Sequence, residues 1–205
     1  MRAITPGVLR TELAELIADR ARPGRCAVLV DAAPVAEPER FAEDLVDPLR
    51  ERGFPVQRVD ARDFLLPASL RFERGREDPD SYYEDWLDAA GLRREVFDRW
   101  TRTGPCSVLP SLWDARTDRA TRAGYREQPE HAILLLAGTL LLHKGFPTDL
   151  TVHLGLSGRT LERELPAQER WTLPAFRRYR AEFDPEASAD VLVRFDHPDR
   201  PAVRP

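Results

Sequence analysis

The sequence predicts an α/β fold in three layers, with a mostly parallel central sheet, a small hairpin insertion and a short lid. Three observations carry this. Residues 26–30 (CAVLV) and 132–136 (AILLL) are short apolar runs of the kind that form strands buried on both faces. Phe41, Leu45, Val46 and Leu49 recur at helical spacing after the first run. Strand and helix patterns then alternate with no internal repeat and no dividing linker, which favours parallel strands joined by right-handed crossovers.

Thr5-Pro6 offers an N-cap and a first helical residue for a helix carrying Val8, Leu9, Leu13, Leu16 and Ile17. Arg22-Pro23-Gly24 turns that helix into the strand at 26–30. Residues 31–38 (DAAPVAEP) break the pattern before the helix of Phe41 and Leu49, which Arg52-Gly53-Phe54-Pro55 ends. Residues 56–60 (VQRVD) form the next strand. Residues 61–80 show little periodicity and carry Asp63, Arg71, Arg74, Arg76, Glu77 and Asp78. A long loop after a parallel strand lies at the sheet edge where such folds bind ligands; ligand lining and solvated loop both fit it. Tyr82, Tyr83, Trp86 and Leu87, then Leu92, Val96, Phe97 and Trp100, suit two helices packed on the core. Residues 107–113 and 120–127 read as the arms of a hairpin turning at 114–118. Strands at 132–136 and 150–154, a helix capped by Ser157, a helix at 175–183 and a closing strand at 189–195 complete the series. The tail, 197–205, is expected to be loosely held.

Composition narrows the function classes. A net charge of −4 argues against a nucleic-acid partner, which needs a concentrated basic face. The opening MRAITPGVLRTELAEL has no apolar core of a signal peptide, so a cytoplasmic protein is expected. The longest apolar run, 132–142, is too short and interrupted to span a membrane, and no membrane partner is expected. Cys26 and Cys106 lack a C-x-x-C partner and fit reduced thiols better than a disulfide or zinc framework. His131, His143, His153 and His197 show no ligand spacing, so no metal is expected. No G-x-S-x-G suggests a hydrolase. Lys144 is the single lysine among 31 basic residues, and the only candidate if a lysine ammonium is needed for phosphoryl transfer.

Strand, tight loop and helix is where an α/β protein seats a phosphate, because a helix N-terminus presents unpaired N–H groups and positive dipole. A P-loop needs Gly where the backbone wraps the phosphates and ends in Lys-Ser/Thr. Ala32, Ala33, Pro34, Val35, Ala36, Glu37, Pro38, Glu39 and Arg40 include no Gly, Lys, Ser or Thr. The two prolines lack N–H donors and the two glutamates repel an anion. The architecture of a nucleotide site is present without its phosphate chemistry.

The segments VLVDAAPVAEPERFAEDLVDPLRERG, VDARDF, RFERGREDPDSYYEDWLDAAGLR, ILLLAGTLLL, DLTVHLGLS and ERWTLPAFRRYRAEFDPEASADVLVRFDHPDRP follow one order and spacing. On these, over nearly the whole chain, the sequence resembles the uridine kinase-like (phosphoribulokinase/uridine kinase) group of P-loop nucleoside kinases, in an actinobacterial-type form. The resemblance implies one P-loop-kinase-like domain over residues 1–205, with an acceptor loop at 61–80, the hairpin at 107–127 and a lid at 165–174. The departures fall on the catalytic positions. Glu37-Pro38-Glu39 stand where the family has Gly-Lys-Ser/Thr. Arg62 stands where the family has the Asp that serves as base for the ribose hydroxyl, and a one-residue slip would give that role to Asp63. Ala137 and Gly138 replace the acidic residue after the third main strand. Glu164-Leu165 replaces the lid Arg-Asp pair, with Arg163 and Arg170 nearby. Phosphoryl transfer runs on positioning and charge stabilisation, and one preorganised donor alone is worth about 3 kcal/mol. ATP–Mg²⁺ is therefore not expected as a cofactor.

What the resemblance leaves in place is the acceptor side, Asp60, Asp63, Arg71, Tyr82, Tyr83, Trp113, Asp114, Arg170 and Trp171, with Arg62 and Arg163 as further ligand-binding candidates. Carboxylates take hydrogen bonds from a diol, aromatics stack on a base and arginine holds a phosphate or carbonyl. For each, packing residue or surface ion pair is the competing role. The expectation is a degenerate nucleoside-kinase-like protein that binds a nucleoside, a nucleotide or a similar polar small molecule without normal ATP phosphotransfer. Two alternatives stand beside it. One is an active nucleoside-type kinase or transferase, with Asp63 as base and Arg40, Arg163, Arg170 or Lys144 on the phosphates. The other is a non-catalytic homodimer using the aromatic helices at 82–100.

Overall fold

In the computed structural model, which describes residues 1–101 and 103–204, a seven-stranded sheet runs through the middle of the chain. β1 (Arg2–Ala3) and α1 (Pro6–Ala21) lead into β2 (Cys26–Ala32). α2 (Pro38–Glu43), α3 (Val46–Glu51) and β3 (Val56–Asp60) follow. Three short helices come next, α4 (Ala68–Arg71), α5 (Pro79–Glu84) and α6 (Ala89–Leu92). After them lie the small strands β4 (Ser107–Val108), β5 (Trp113–Asp114), β6 (Arg119–Ala120) and β7 (Arg126–Glu127). β8 (Ile133–Gly138), β9 (Leu150–Gly155), α7 (Gly158–Glu164), α8 (Leu173–Glu182) and α9 (Pro185–Ser188) precede β10 (Val191–Arg194) and β11 (Ala202–Arg204).

The sheet order is β1-β11-β10-β9-β2-β8-β3. The five strands from β10 to β3 are parallel, and β11 pairs antiparallel with both β10 and β1. β2 lies between β8 and β9, with Val28 opposite Leu135 on one side and Leu150 on the other. Every residue of β2 and β8 is buried, which is why both read as unbroken apolar runs. From β2 the chain moves to one side for β3 and later to the other for β9 and β10. That change of direction opens a crevice at the C-terminal ends of the central strands.

α1 starts where expected, with the Thr5 hydroxyl accepting a hydrogen bond from the Val8 N–H. Leu9, Leu13 and Ile17 are buried beneath it, while Val8 faces outward. At the other end, Arg25 is only 2% exposed and, among the described residues, has no carboxylate partner. Its guanidinium donates instead to the carbonyls of Thr101, Gly104, Gln128 and Pro129 at 2.8–2.9 Å, tying two loops to the N-terminal edge of the sheet.

Several expectations are corrected. The helix expected to run through Phe41 and Leu49 is broken between α2 and α3. Pro48 explains the break: it has no N–H for the Asp44 carbonyl four residues back, and its ring crowds that carbonyl. The hairpin pairs at two separate points, Ser107 with Glu127 and Trp113 with Ala120, rather than along its length. Pro110, lacking a donor, sits between the two ladders. The loop at 61–80 is largely folded, with a 3₁₀ turn at Ala61–Phe64 and α4. The strand ending near 195 is not the closing one. The tail expected to be loose supplies β11, because Val203 is buried and its neighbours pair with both Arg2–Ala3 and β10. Pro205, also in that expected tail, lies outside the described residues. Among the described residues no helix is long and apolar enough to cross a membrane.

Candidate functional site

A cleft of about 510 Å³ opens at the C-terminal ends of the central strands. One wall is the turn after β2, through Pro34, Glu37, Glu39 and Arg40. The segment after β3 contributes Ala61, Arg62 and Leu65, and α5 with the residues after it contributes Tyr82, Tyr83, Trp86 and Leu87. The loop after β8 closes the cleft with Gly138, Thr139, Leu140 and Lys144. At Gly138 the backbone comes so close that an added Cβ would lie 2.5 Å from the Ala61 Cβ, so a side chain there would force the two segments apart.

The turn is folded onto itself. Pro34–Ala36 forms a single 3₁₀ turn in which the Ala36 N–H donates to the Ala33 carbonyl and the Glu37 N–H to the Pro34 carbonyl, both at 2.9 Å. Glu37 then adopts a left-handed conformation, φ 47° and ψ 57°, to start α2 at Pro38. That backbone favours glycine, and a glutamate occupies it here. Two prolines without N–H groups and two amides already spent leave few donors for an anion. Leu140, across the cleft, also has positive φ, at 57°. Strained non-glycine residues persist where the surrounding structure holds them and collect at ligand sites.

The charges on the walls are largely matched. Glu39 lies 2.8 Å from Arg62, bridging the turn to the segment after β3, and Glu37 lies 3.4 Å from Arg40. Both pairs are exposed on the arginine side, so each adds little to stability. Lys144 donates to the carbonyls of Tyr83 and Glu84 at 3.0 and 3.2 Å, and its half-buried ammonium is held below the usual lysine pKa by desolvation.

Beneath the cleft is a buried polar centre that sequence reasoning missed. Asp31, fully buried in β2, accepts the Leu141 N–H at 2.7 Å through one oxygen. Its other oxygen lies 2.7 Å from His153 Nδ1 and accepts the Tyr179 hydroxyl at 3.2 Å. The Tyr179 oxygen in turn accepts the Leu142 N–H at 3.1 Å. These bonds fix the loop that carries Leu140 and Lys144 against β9 and α8. Burial, with Asp31 next in importance, pushes the Tyr179 hydroxyl far above its ordinary pKa, so it stays a donor. The apolar pattern ends at Val30, which places Asp31 in the following turn, whereas β2 runs on to Ala32 and buries it.

The expected site residues divide. Pro34, Glu37, Glu39, Arg40, Arg62, Tyr82 and Tyr83 line the cleft. Val35 and Ala36 instead line a groove on the other side of the turn, beside Phe41 and Phe195. Ala32, Ala33 and Pro38 are buried. Asp60 is taken up by Arg58, at 2.8 and 3.1 Å. Asp63 is half-buried, and desolvation, followed by the nearby Asp60, raises its pKa. Arg71 is buried, donates to the Leu66 carbonyl at 2.7 Å and stacks on Phe72 and Trp86. Trp113 donates to Asp118 at 3.0 Å, while the Asp114 carboxylate binds Arg116 N and the Thr117 hydroxyl in its turn. Arg163 pairs with Glu164, and Arg170 is exposed. Trp171 packs edge-on against Tyr82 at 5.5 Å, inside a cluster with Trp86. Trp86 and Leu87, read as packing residues, also line the cleft, as do Leu65 and Thr139. Short apolar or hydroxyl residues in irregular segments carry no pattern that marks them beforehand.

The parallel sheet and its flanking helices form an α/β fold that matches solved structures described as kinases. Among solved structures, the chain is similar to a possible uridine kinase from Bacillus stearothermophilus, with a TM-score of 0.67 and 20% identity over 88% of this chain and 98% of that one. It is similar also to a protein described as a fructose transport system kinase from Silicibacter sp. TM1040, with a TM-score of 0.64 and 21% identity over 84% of this chain and 94% of that one. A D-glycerate 3-kinase from Cryptococcus neoformans var. grubii matches with a TM-score of 0.50 and 11% identity, over 85% of this chain and 80% of that one. No family model and no curated protein matches the sequence. At these identities the likeness is one of fold.

Proposed function

We propose that the chain binds a nucleoside, a nucleotide or a similar polar small molecule in this cleft and carries out no normal ATP phosphotransfer. One observation carries this: the turn at residues 33–37 spends amides on its own carbonyls and lines the cleft with Glu37 and Glu39. A triphosphate would meet carboxylates where kinases offer loop amides, a lysine and Mg²⁺. Each missing preorganised donor costs about 3 kcal/mol of transition-state stabilisation, and several are missing together. The rest of the cleft suits a small molecule. Its volume of about 510 Å³ falls within the usual range for ligand pockets, roughly 300–1,000 Å³. Leu65, Trp86 and Leu87 offer an apolar wall, with Arg62 and Thr139 as polar points.

A working kinase or transferase is the alternative, with Asp63 as base: its pKa is raised, the direction a base for a hydroxyl needs, and it sits next to Arg62 of the cleft wall without itself lining the cleft. One experiment separates the two. Uridine, cytidine and ribose are titrated calorimetrically, and phosphate transfer from ATP is followed in the same samples beside an Asp63→Ala control. Saturable binding without transfer above the control is expected. Transfer that disappears in the Asp63→Ala protein would establish the kinase instead.

A further inference from the structure

Lys144 is the single lysine of a chain in which every other one of its 31 basic residues is arginine. It ends the 3₁₀ turn Leu142–Lys144 after β8, is half-buried and lines the cleft. Its Nζ donates to the Tyr83 and Glu84 carbonyls, at the last turn of α5. An ammonium has three N–H donors, and these contacts use two. Among the described residues no carboxylate forms an ion pair with it, whereas Glu37 matches Arg40 and Glu39 matches Arg62. Of the three cations and two carboxylates that line the cleft, Lys144 is the one with no carboxylate at ion-pair distance; Glu84 and Asp85, outside the lining, act on it from farther away and only partly offset its desolvation. Removing an ammonium partly from water is unfavourable unless a counter-charge reaches it.

We propose that Lys144 is the anion-binding residue of the cleft, and that its ligand carries a carboxylate or a phosphate monoester on a flat or apolar body. This rests on the cleft being the ligand site proposed above and narrows that site to anionic molecules. The apolar wall at Leu65, Trp86 and Leu87 would hold the body while the third N–H of Lys144 meets the anion. A ligand anion there would also reverse the effect of desolvation, which now lowers the affinity of Lys144 for its proton.

The single lysine makes the test direct. Protein carrying ¹⁵N at lysine Nζ gives one side-chain ammonium resonance, to be followed during titration with benzoate, phenyl phosphate and neutral uridine. Benzoate or phenyl phosphate is expected to shift that resonance, and which of them binds more tightly tells carboxylate from phosphate. Charge-assisted hydrogen bonds are strong enough that Lys144→Met should weaken the anionic probe by about ten- to a hundredfold, with Lys144→Arg closer to wild type and uridine binding unchanged. The proposal is overturned if an anionic probe binds without moving the resonance, or binds Lys144→Met as well as wild type. Binding of uridine alone would overturn it while leaving the cleft as a ligand site. Binding of none of the three would remove both. Should Lys144→Met fail to fold, the wild-type resonance and Lys144→Arg still decide.

Discussion

His143 shows how one side chain can set the acid limit of this protein. Its ring stacks on Tyr83 at 4.5 Å, nearly parallel, and meets Tyr179 edge-on at 5.3 Å. Burial, and after it the neighbouring Lys144, lower its pKa from 6.5 to about 4. Between those values the unfolded chain binds a proton that the folded chain does not. Stability should therefore rise with pH across that window and fall as the pH drops below about 6.5. Urea unfolding of wild type and His143→Phe across the window measures this. The variant keeps a stacked ring and should show a flatter pH dependence; equal slopes would remove His143 as the cause. At this scale the sequence was only partly legible. The odd composition of the turn stood out, because residues 32–40 hold two prolines and two glutamates and no glycine. The burial of Arg71, the use of Asp60 by Arg58 and the Asp31–His153–Tyr179 centre did not, because each depends on partners far away in the chain.

The elements of the core were legible where periodicity is long or apolar density high. β2, β8, β9 and α1 lie where their patterns place them, since burial on both faces or one leaves a composition that can be read directly. Short elements escaped. Three residues of β11 cannot show a period, and a tail rich in proline reads as loose. Yet β11 bridges β1 and β10, and Arg204 also reaches the Glu186 carbonyl. Truncation before residue 202 should expose β10, strand β1 without a partner and uncover Val203's neighbours. That change is worth about 2–4 kcal/mol and lowers Tm by about 5–10 °C in a chain of this size. Thermal unfolding of the truncated protein reads it, and an unchanged Tm would mean that the tail behaves as a loose segment after all.

For the whole molecule, fold and chemistry separate. The frame matches that of solved structures described as kinases, and the switch in strand order at β2 puts a cleft over the central strands. The turn after β2 bonds its own amides, and its two acids, Glu37 and Glu39, are each matched to an arginine. The order of the strands was not read, though a mostly parallel sheet was recoverable from alternation and the resemblance. Which loop residues share the cleft was not, because α5, the segment after β3 and the loop after β8 meet only once the sheet is assembled. The most direct measurement is a titration of the protein with ATP–Mg²⁺, followed by calorimetry and by the ³¹P resonances of the nucleotide. No saturable binding up to ~1 mM and no shift of the β and γ signals are expected. Micromolar binding with those two signals displaced, and lost on changing residues of the 33–37 turn, would contradict the account.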